Sequence, residues 1–331
     1  MKSLSIIVPV FNVEKYLCKC LDSLFDQDIL LDEYEIIIIN DGSTDDSAII
    51  CESYKNKNTN VILISQKNMG LGAARNTGIR HSKGKYIQFV DSDDYLESNV
   101  LQQLIDKMDR ENLDVLRFNY QNVNEQYEIF QPNRTIKPFV DYSDSITVGH
   151  KFLTERLGYA CYAWQFIIRA ELLKLQNNYF KKEIYFEDTE WTPRILIQAK
   201  RVCSTKTIVY NYLMRQGSIM QSVDDTKKHK LLQDQLFLID ALLEQKSKLS
   251  DKRWFQGMIS TIVITLLSSV SLNFYPERGI YLSVLNKKRI IPLSFYHCTI
   301  RNLIRIIIIN FSPKLYCWLI NRRNKSLNKY N

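Results

Sequence analysis

Residues 4–12 read LSIIVPVFN, a short, largely β-branched run that breaks off at Phe11 and Asn12. A strand with one face in water alternates apolar and polar residues. This run does not, which is the pattern of a strand buried on both faces. Similar runs follow at Glu35–Asn40, Asn60–Ile64 and Tyr86–Val90, with stretches of helical period between them. In Glu14–Phe25 the apolar Tyr16, Leu17, Cys20, Leu21, Leu24 and Phe25 fall on one stripe, and Gly72–Arg80 and Asn99–Arg110 also read as helices. Such alternation predicts an α/β fold, a mostly parallel sheet with helices on both faces. Ligands bind such sheets beyond the carboxyl ends of the strands. Here those positions hold Pro9–Asn12 after the first strand, Asp41 after the second and Asp91–Asp94 after the fourth.

The chain of 331 residues is long enough for one large α/β domain and an appendage. Its net charge of +8 is unevenly spread. Residues 1–110 hold 12 Lys and Arg against 17 Asp and Glu, whereas residues 252–331 hold 13 basic residues and one acid, Glu277. An acidic leading domain argues against a general nucleic-acid binder. Acid in front and base behind suit a metal-using catalytic domain followed by a tail drawn to anionic lipid. The seven cysteines (Cys18, Cys20, Cys51, Cys161, Cys203, Cys298 and Cys317) are scattered without metal-binding spacing. They read as reduced thiols filling apolar space in a cytoplasmic protein. Met1-Lys-Ser3 runs straight into the first strand, so no signal peptide is expected.

Four segments carry residues suited to chemistry. In Phe89-Val-Asp-Ser-Asp-Asp94 three carboxylates crowd the end of a strand. They repel one another unless a hard cation such as Mg²⁺ or Mn²⁺ sits among them, or they form a solvated acidic turn before the next helix. Asn40-Asp-Gly-Ser-Thr-Asp45 reads first as a tight turn with helix-capping residues, and its Asp41 can also accept from a base imide or a ribose hydroxyl. Asn68-Met-Gly-Leu-Gly-Ala-Ala-Arg-Asn-Thr-Gly78 opens a helix with glycines. Gly70 permits close backbone approach there, and Lys67 and Arg75 offer charge to a diphosphate. The segment does not follow the first strand, so the dehydrogenase fingerprint is not met. In Tyr185-Phe-Glu-Asp-Thr-Glu-Trp191, acids among aromatics form either a desolvated general base or an acidic helix start.

Taken in order, these segments resemble the family 2 glycosyltransferases. The matching text is Ser5-Ile-Ile-Val-Pro-Val-Phe-Asn12, Ile39-Asn-Asp-Gly-Ser-Thr-Asp45, Asn68–Gly78, Phe89–Asp94, Glu187-Asp188, and Tyr210-Asn-Tyr212 with Gly217-Ser218. The resemblance is strong over residues 1–120, moderate over 150–222 and absent beyond. It implies a GT-A fold, a UDP-sugar-type donor, a Mg²⁺ or Mn²⁺ ion and inversion at the anomeric carbon. Pro9, Val10, Phe11 and Asn12 would line the nucleotide pocket, Asp41 would touch base or ribose, and Lys67, Gly70, Arg75, Asp91 and Ser92 would complete the donor site. Asp91 and Asp93 match the metal-binding DxD pair, with Asp94 beside them, and Asp188 matches the general base. The usual pair of acids before Gly42 is Asn40-Asp41 here, which keeps the Asp41 position. The QxxRW motif of processive synthases is missing, which favours addition of a single sugar. The implied acceptor is a glycan or a polyprenyl-diphosphate-linked oligosaccharide of bacterial capsule, O-antigen or exopolysaccharide. The competing readings are a catalytically silent nucleotide-sugar-binding scaffold, disfavoured by the intact acids, and a pyrophosphorylase, disfavoured by the lack of a Gly-rich basic loop after the first strand.

These readings divide the chain into a catalytic domain over 1–222, with a donor half at 1–120 and an acceptor half at 121–222, and a helical basic region over 223–331. Residues 121–150 read as an irregular excursion and Val202–Leu213 as a strand. Trp254–Pro276 is free of charge for 23 residues and reads as a buried helix, with a membrane span as the alternative. Arg301–Arg323 mixes Ile, Leu, Phe and Trp with five basic residues and is broken by Pro313. Such a segment suits the surface of an anionic leaflet, the inner face of a bacterial plasma membrane, with docking onto the catalytic domain or homo-oligomer formation as alternatives.

Overall fold

The computed structural model describes residues 2–130, 143–175, 178–215 and 224–327, in two compact units, Met1–Gln221 and Ser222–Asn331. Gly217-Ser218, Pro132 and Pro138 lie outside the described residues.

The first unit runs β1 (Leu4–Val10), α1 (Glu14–Phe25), β2 (Tyr34–Asn40), α2 (Ser47–Lys57), β3 (Val61–Ser65), α3 (Leu71–His81), β4 (Tyr86–Phe89), β5 (Tyr95–Leu96), α4 (Leu101–Arg110), β6 (Val115–Val123), α5 (Gly149–Glu155), β7 (Phe166–Arg169), α6 (Ala170–Lys174), α7 (Glu187–Gln198) and β8 (Val202–Leu213). The strands form one sheet in the order β3-β2-β1-β4-β7-β6-β8-β5. The leading four are parallel, as their unbroken apolar runs require. Beyond them the sheet is mixed: β7 is antiparallel to both β4 and β6, β6 is parallel to β8, and β5 is antiparallel to β8.

Every residue of β1 and β2 is buried, including the polar Ser5, Glu35 and Asn40. Ser5 donates to the Glu35 carboxylate at 2.6 Å, the Lys83 backbone N–H donates to the same oxygen at 2.6 Å, and the Gly84 N–H donates to Ser5 Oγ at 2.8 Å. Burying those groups therefore leaves no orphaned partner there. The α1 stripe is buried at Leu17, Cys20, Leu21 and Leu24, with Tyr16 and Phe25 half-buried at its margins.

Two boundaries depart from the sequence reading. Asn99 adopts a left-handed backbone (φ 54°), so α4 starts at Leu101 rather than before it. The irregular stretch is shorter than 121–150, because β6 extends to Val123 and α5 begins at Gly149.

Registers position the site. Val10 pairs with Asn40 and Asn40 with Ser65, so three strands end in one row. The Asp41 N–H donates to Val10 O, that of Gln66 to Asn40 O and that of Val90 to Ile7 O, each at 2.9–3.0 Å. The residues after each strand therefore emerge along a common edge.

The second unit is helical: α8 (Asp225–Ser247), α9 (Arg253–Asn273), α10 (Arg278–Lys287), α11 (Ile300–Phe311) and α12 (Pro313–Leu327). Asp224 caps α8 by accepting from the Lys227 N–H at 2.8 Å, and Thr299 caps α11 by accepting from the Asn302 N–H at 3.2 Å. The apolar α9 packs against α8, α10, α11 and α12. Among the described residues it alone is long and apolar enough to cross a membrane, and 67% of its apolar window is buried within the protein. Pro313 separates α11 from α12 and opens the latter.

Candidate functional site

The edge where β1, β2 and β3 end is built as a set of interlocked turns. Asn12 is left-handed (φ 51°), and its carboxamide oxygen accepts from the Thr44 N–H at 2.8 Å. Its own N–H donates to Ser43 Oγ at 3.2 Å. The side chains of Pro9 and Val10 are buried in the strand, while Phe11 and Asn12 reach the surface beyond it, Phe11 with 45% of its area exposed.

Asp41 turns out to organise a neighbouring loop. One of its carboxylate oxygens accepts from Gln66 Nε2 at 2.7 Å and the Met69 N–H at 3.0 Å, and the other from the Gly70 N–H at 2.9 Å. Asp41 therefore holds the start of α3 in place, and both of its oxygens are engaged. The turn depends on Gly42 and Gly70, at φ 76° and 84°, where a side chain is strained. Lys67 is exposed beside this loop.

Arg75 departs most from its expected role. It is 2% exposed. Its Nη2 donates to Asp91 Oδ1 and its Nη1 to Glu187 Oε1, both at 2.7 Å. Burial works against its charge, but the two carboxylates outweigh that and keep the guanidinium ionised. It lies over the rings of Phe89 and Phe180, at 5.9 and 5.4 Å. Phe180 stacks on Trp191 at 4.2 Å. Sequence spacing suggests a phosphate partner for Arg75, because Glu187 is 112 residues away and only the fold brings it near.

The base candidate sits on the same structure. Asp188 lies in the first turn of α7, preceded by Phe186 in a left-handed backbone (φ 62°). Reciprocal hydrogen bonds of 2.8 and 2.9 Å between Asn76 and the backbone of Phe180 tie α3 to the segment leading into α7. Asp188 keeps some exposure, yet burial, with Glu187 beside it, pushes its carboxyl up to about 8. That value is suited to accepting a proton near neutral pH.

The three acids after β4 divide. Asp91 pairs with Arg75, and Asp93 Oδ2 accepts from Arg215 Nε at 2.8 Å. Asp94 is 2% exposed, and its two oxygens accept from the Tyr210 hydroxyl and the Leu213 N–H, each at 2.8 Å. Burial, with Asp93 and Asp91 close by, holds Asp94 well above the usual carboxylate range, and burial with Asp91 also raises Asp93. Ser92 is buried between them. Among the described residues no group of three or more His, Cys, Asp and Glu side chains forms a metal cage. Asp91 and Asp93, each with one carboxylate oxygen on an arginine, fit a hard divalent ion that keeps waters or phosphate oxygens as its other ligands. The three-acid set expected from the sequence thus narrows to two, because Asp94 braces β8. Arg215 and Gln66 escaped the sequence reading, since their partners lie 122 and 25 residues away.

An aromatic stack lies nearby. Trp164 stacks on Tyr162 at 4.9 Å, Tyr210 at 4.2 Å and Tyr212 at 5.7 Å, with Tyr120 edge-on at 5.0 Å. Tyr162 is close enough to Asp188, and Tyr212 to Asp91–Asp94, for these charges to raise the phenols further beyond the effect of burial.

Comparison with known proteins identifies the family and the fold. The sequence profile of glycosyl transferase family 2 matches residues 5–174. The uncharacterized glycosyltransferase EpsJ of Bacillus subtilis is 33% identical over 66% of this chain, and the match spans 62% of EpsJ. Among solved structures, residues 1–349 of Staphylococcus aureus TarS in complex with UDP-GlcNAc cover all of this chain and 93% of their own, with a TM-score of 0.72 at 23% identity. The mannosyltransferase PcManGT from Pyrobaculum calidifontis, in complex with GDP-Man and Mn²⁺, covers 97% of this chain and 86% of its own, with a TM-score of 0.55 at 13% identity. The fold is GT-A-like, with a helical carboxyl-terminal region. The chain belongs to glycosyl transferase family 2.

Proposed function

We propose that this enzyme moves one sugar from a UDP-linked donor to a hydroxyl of a glycan or polyprenyl-diphosphate-linked oligosaccharide, with inversion, in assembly of a bacterial surface polysaccharide. The observation that carries this reading is the buried Arg75, which joins Asp91 of the donor motif to Glu187 beside Asp188. One rigid ion triad therefore sets the spacing between leaving group and base. Residues 1–120 form the donor half and 121–222 the acceptor half. The UDP preference rests on the likeness to TarS, whose structure holds UDP-GlcNAc.

In this reading Phe11, Asn12 and the loop held by Asp41 shape the nucleotide pocket. Asp91 and Asp93 would hold a Mg²⁺ or Mn²⁺ ion, while Asp94 ties their turn to β8. When bound, such an ion supplies positive charge against the diphosphate as it departs. Asp188 takes the proton from the acceptor hydroxyl, whose oxygen attacks the anomeric carbon opposite the bond to the diphosphate. One bond forms as the other breaks, so a single base suffices. The half-buried rings of Tyr162 and Tyr212 offer flat apolar surface to an acceptor sugar. The enzyme works as a peripheral protein at the cytoplasmic face of the plasma membrane.

Calorimetry of UDP binding, with and without Mn²⁺, tests the donor site. Wild type is expected to bind with Mn²⁺ and lose most affinity without it, and Asp93→Ala to lose the dependence on Mn²⁺. Absence of UDP binding under both conditions overturns the reading.

A further inference from the structure

Helices α11 and α12 pack one face against α9 and leave the other open. On α11, Ile306 and Ile309 are buried, whereas Ile300, Leu303, Ile304, Ile307 and Phe311 are exposed, Phe311 at 84%. Intervals of three and four residues place these five on one stripe. Arg301 and Arg305 fall on the flank between that stripe and the buried face. On α12, Tyr316 and Cys317 are buried, and Leu315, Trp318 and Leu319 face outward among the exposed Lys314, Arg322 and Arg323. The Arg322 guanidinium lies 5.1 Å from the centre of the Trp318 ring.

Both helices are firmly seated. The hydroxyls of Ser268 on α9 and Tyr316 are 2.7 Å apart, and the Asn310 side chain exchanges hydrogen bonds of 2.6 and 3.1 Å with the backbone of Leu293. The outward apolar side chains therefore belong to an ordered surface.

Charge identifies the occupant. From Arg278 to Asn331 the chain carries eleven Lys and Arg and no acid. Two copies meeting through this face would oppose those cations with nothing to offset them. An anionic bilayer answers both features. Its acyl boundary takes the Ile, Leu and Phe side chains, its phosphates take the Arg and Lys, and Trp favours the interface between. We propose that α11 and α12 seat this chain on an anionic lipid bilayer, lying in its interface with the apolar stripe inserted and the basic flank at the phosphates. This rests on the peripheral placement proposed above and names the surface responsible.

The test is sedimentation of the full chain with vesicles of phosphatidylcholine alone or mixed equally with phosphatidylglycerol, with tryptophan emission as a second readout. Trp164, Trp191 and Trp254 are buried and Trp318 is 44% exposed, so a change in emission reports mainly on α12. Wild type is expected to sediment only with the anionic vesicles, with emission shifted to shorter wavelength. Ile307→Glu with Phe311→Glu is expected to weaken partition at least about tenfold, and Arg301→Gln with Arg305→Gln by roughly fivefold per charge. Both variants alter exposed or half-exposed positions, and each is expected to keep wild-type circular dichroism and UDP affinity. Equal sedimentation with both vesicle types, an unshifted emission, or wild-type binding by the Glu pair overturns the proposal. So does a dimer on gel filtration that the Glu pair dissociates while vesicles go unbound. The assay contains no donor or acceptor, so failure here leaves the transferase reading standing, and UDP calorimetry addresses that reading separately.

Discussion

At the scale of single residues the site is governed by how each carboxylate is held. Asp41 and Asp94 have both oxygens engaged by hydrogen bonds within the fold, and burial raises Asp94 as it does Asp188, which burial and Glu187 push up to about 8. The raised value has a cost that can be measured. Folded Asp188 keeps a proton that the unfolded chain gives up near pH 4, an ordinary carboxylate value of about 3.9. The native state therefore binds more protons than the unfolded state between that value and about 8, and stability falls as pH rises through this window. Asp188→Asn, which cannot ionise, is expected to melt above wild type, with the gap in Tm widening from about pH 4 to about pH 8 in metal-free buffer. The same variant is expected to lose about 100- to 10,000-fold in kcat with donor KM little changed. A variant with lower Tm at alkaline pH, or with near-normal kcat, removes Asp188 from the role of base.

At the scale of elements the close approach of α3 to β1 fixes the height of Arg75 above the sheet. A Cβ built on Gly78 meets Ile7 Cγ2 at 2.3 Å, so the helix rests directly on the strand. Gly78→Ala is expected to cost about 1–3 kcal/mol by overpacking, read as a lower urea midpoint. An unchanged midpoint would show that α3 shifts freely and that Arg75 is not held by this contact. The elements also show what a sequence discloses. The strands β1 to β4 and helix α1 were legible because burial on two faces leaves an unbroken apolar run and burial along one stripe leaves a helical period. The short strands β5 and β7 were not, since their pairing with β8, β4 and β6 is decided at long range. The motif acids were legible as types, and their partners were not. Arg75 looked like a phosphate ligand until α7 delivered Glu187 to it.

At the scale of the molecule the uneven charge has a physical consequence for encounter. The final 80 residues carry 13 of the 44 basic residues and one of the 36 acids. Screening shortens from roughly 10 Å at 0.1 M salt to roughly 3 Å at 1 M. Binding to anionic vesicles is therefore expected to weaken steeply as salt is raised across that range, leaving a residual part due to the apolar stripe. Insensitivity to salt in a titration of bound fraction would show that charge plays no part. The basic, helical character of the second unit was readable from composition and period. Which of its apolar residues face outward was not, because α9 takes one side of each helix and only packing decides which. The aligned ends of β1, β2 and β3 carry a last implication, for descent. Any insertion or deletion after those strands arrives at the ligand edge while the paired residues beneath keep their partners. Lineages sharing this floor can thus diverge in the sugars they handle by editing loops alone, and relatives should differ in loop length where they differ in substrate and agree in the strands where they do not.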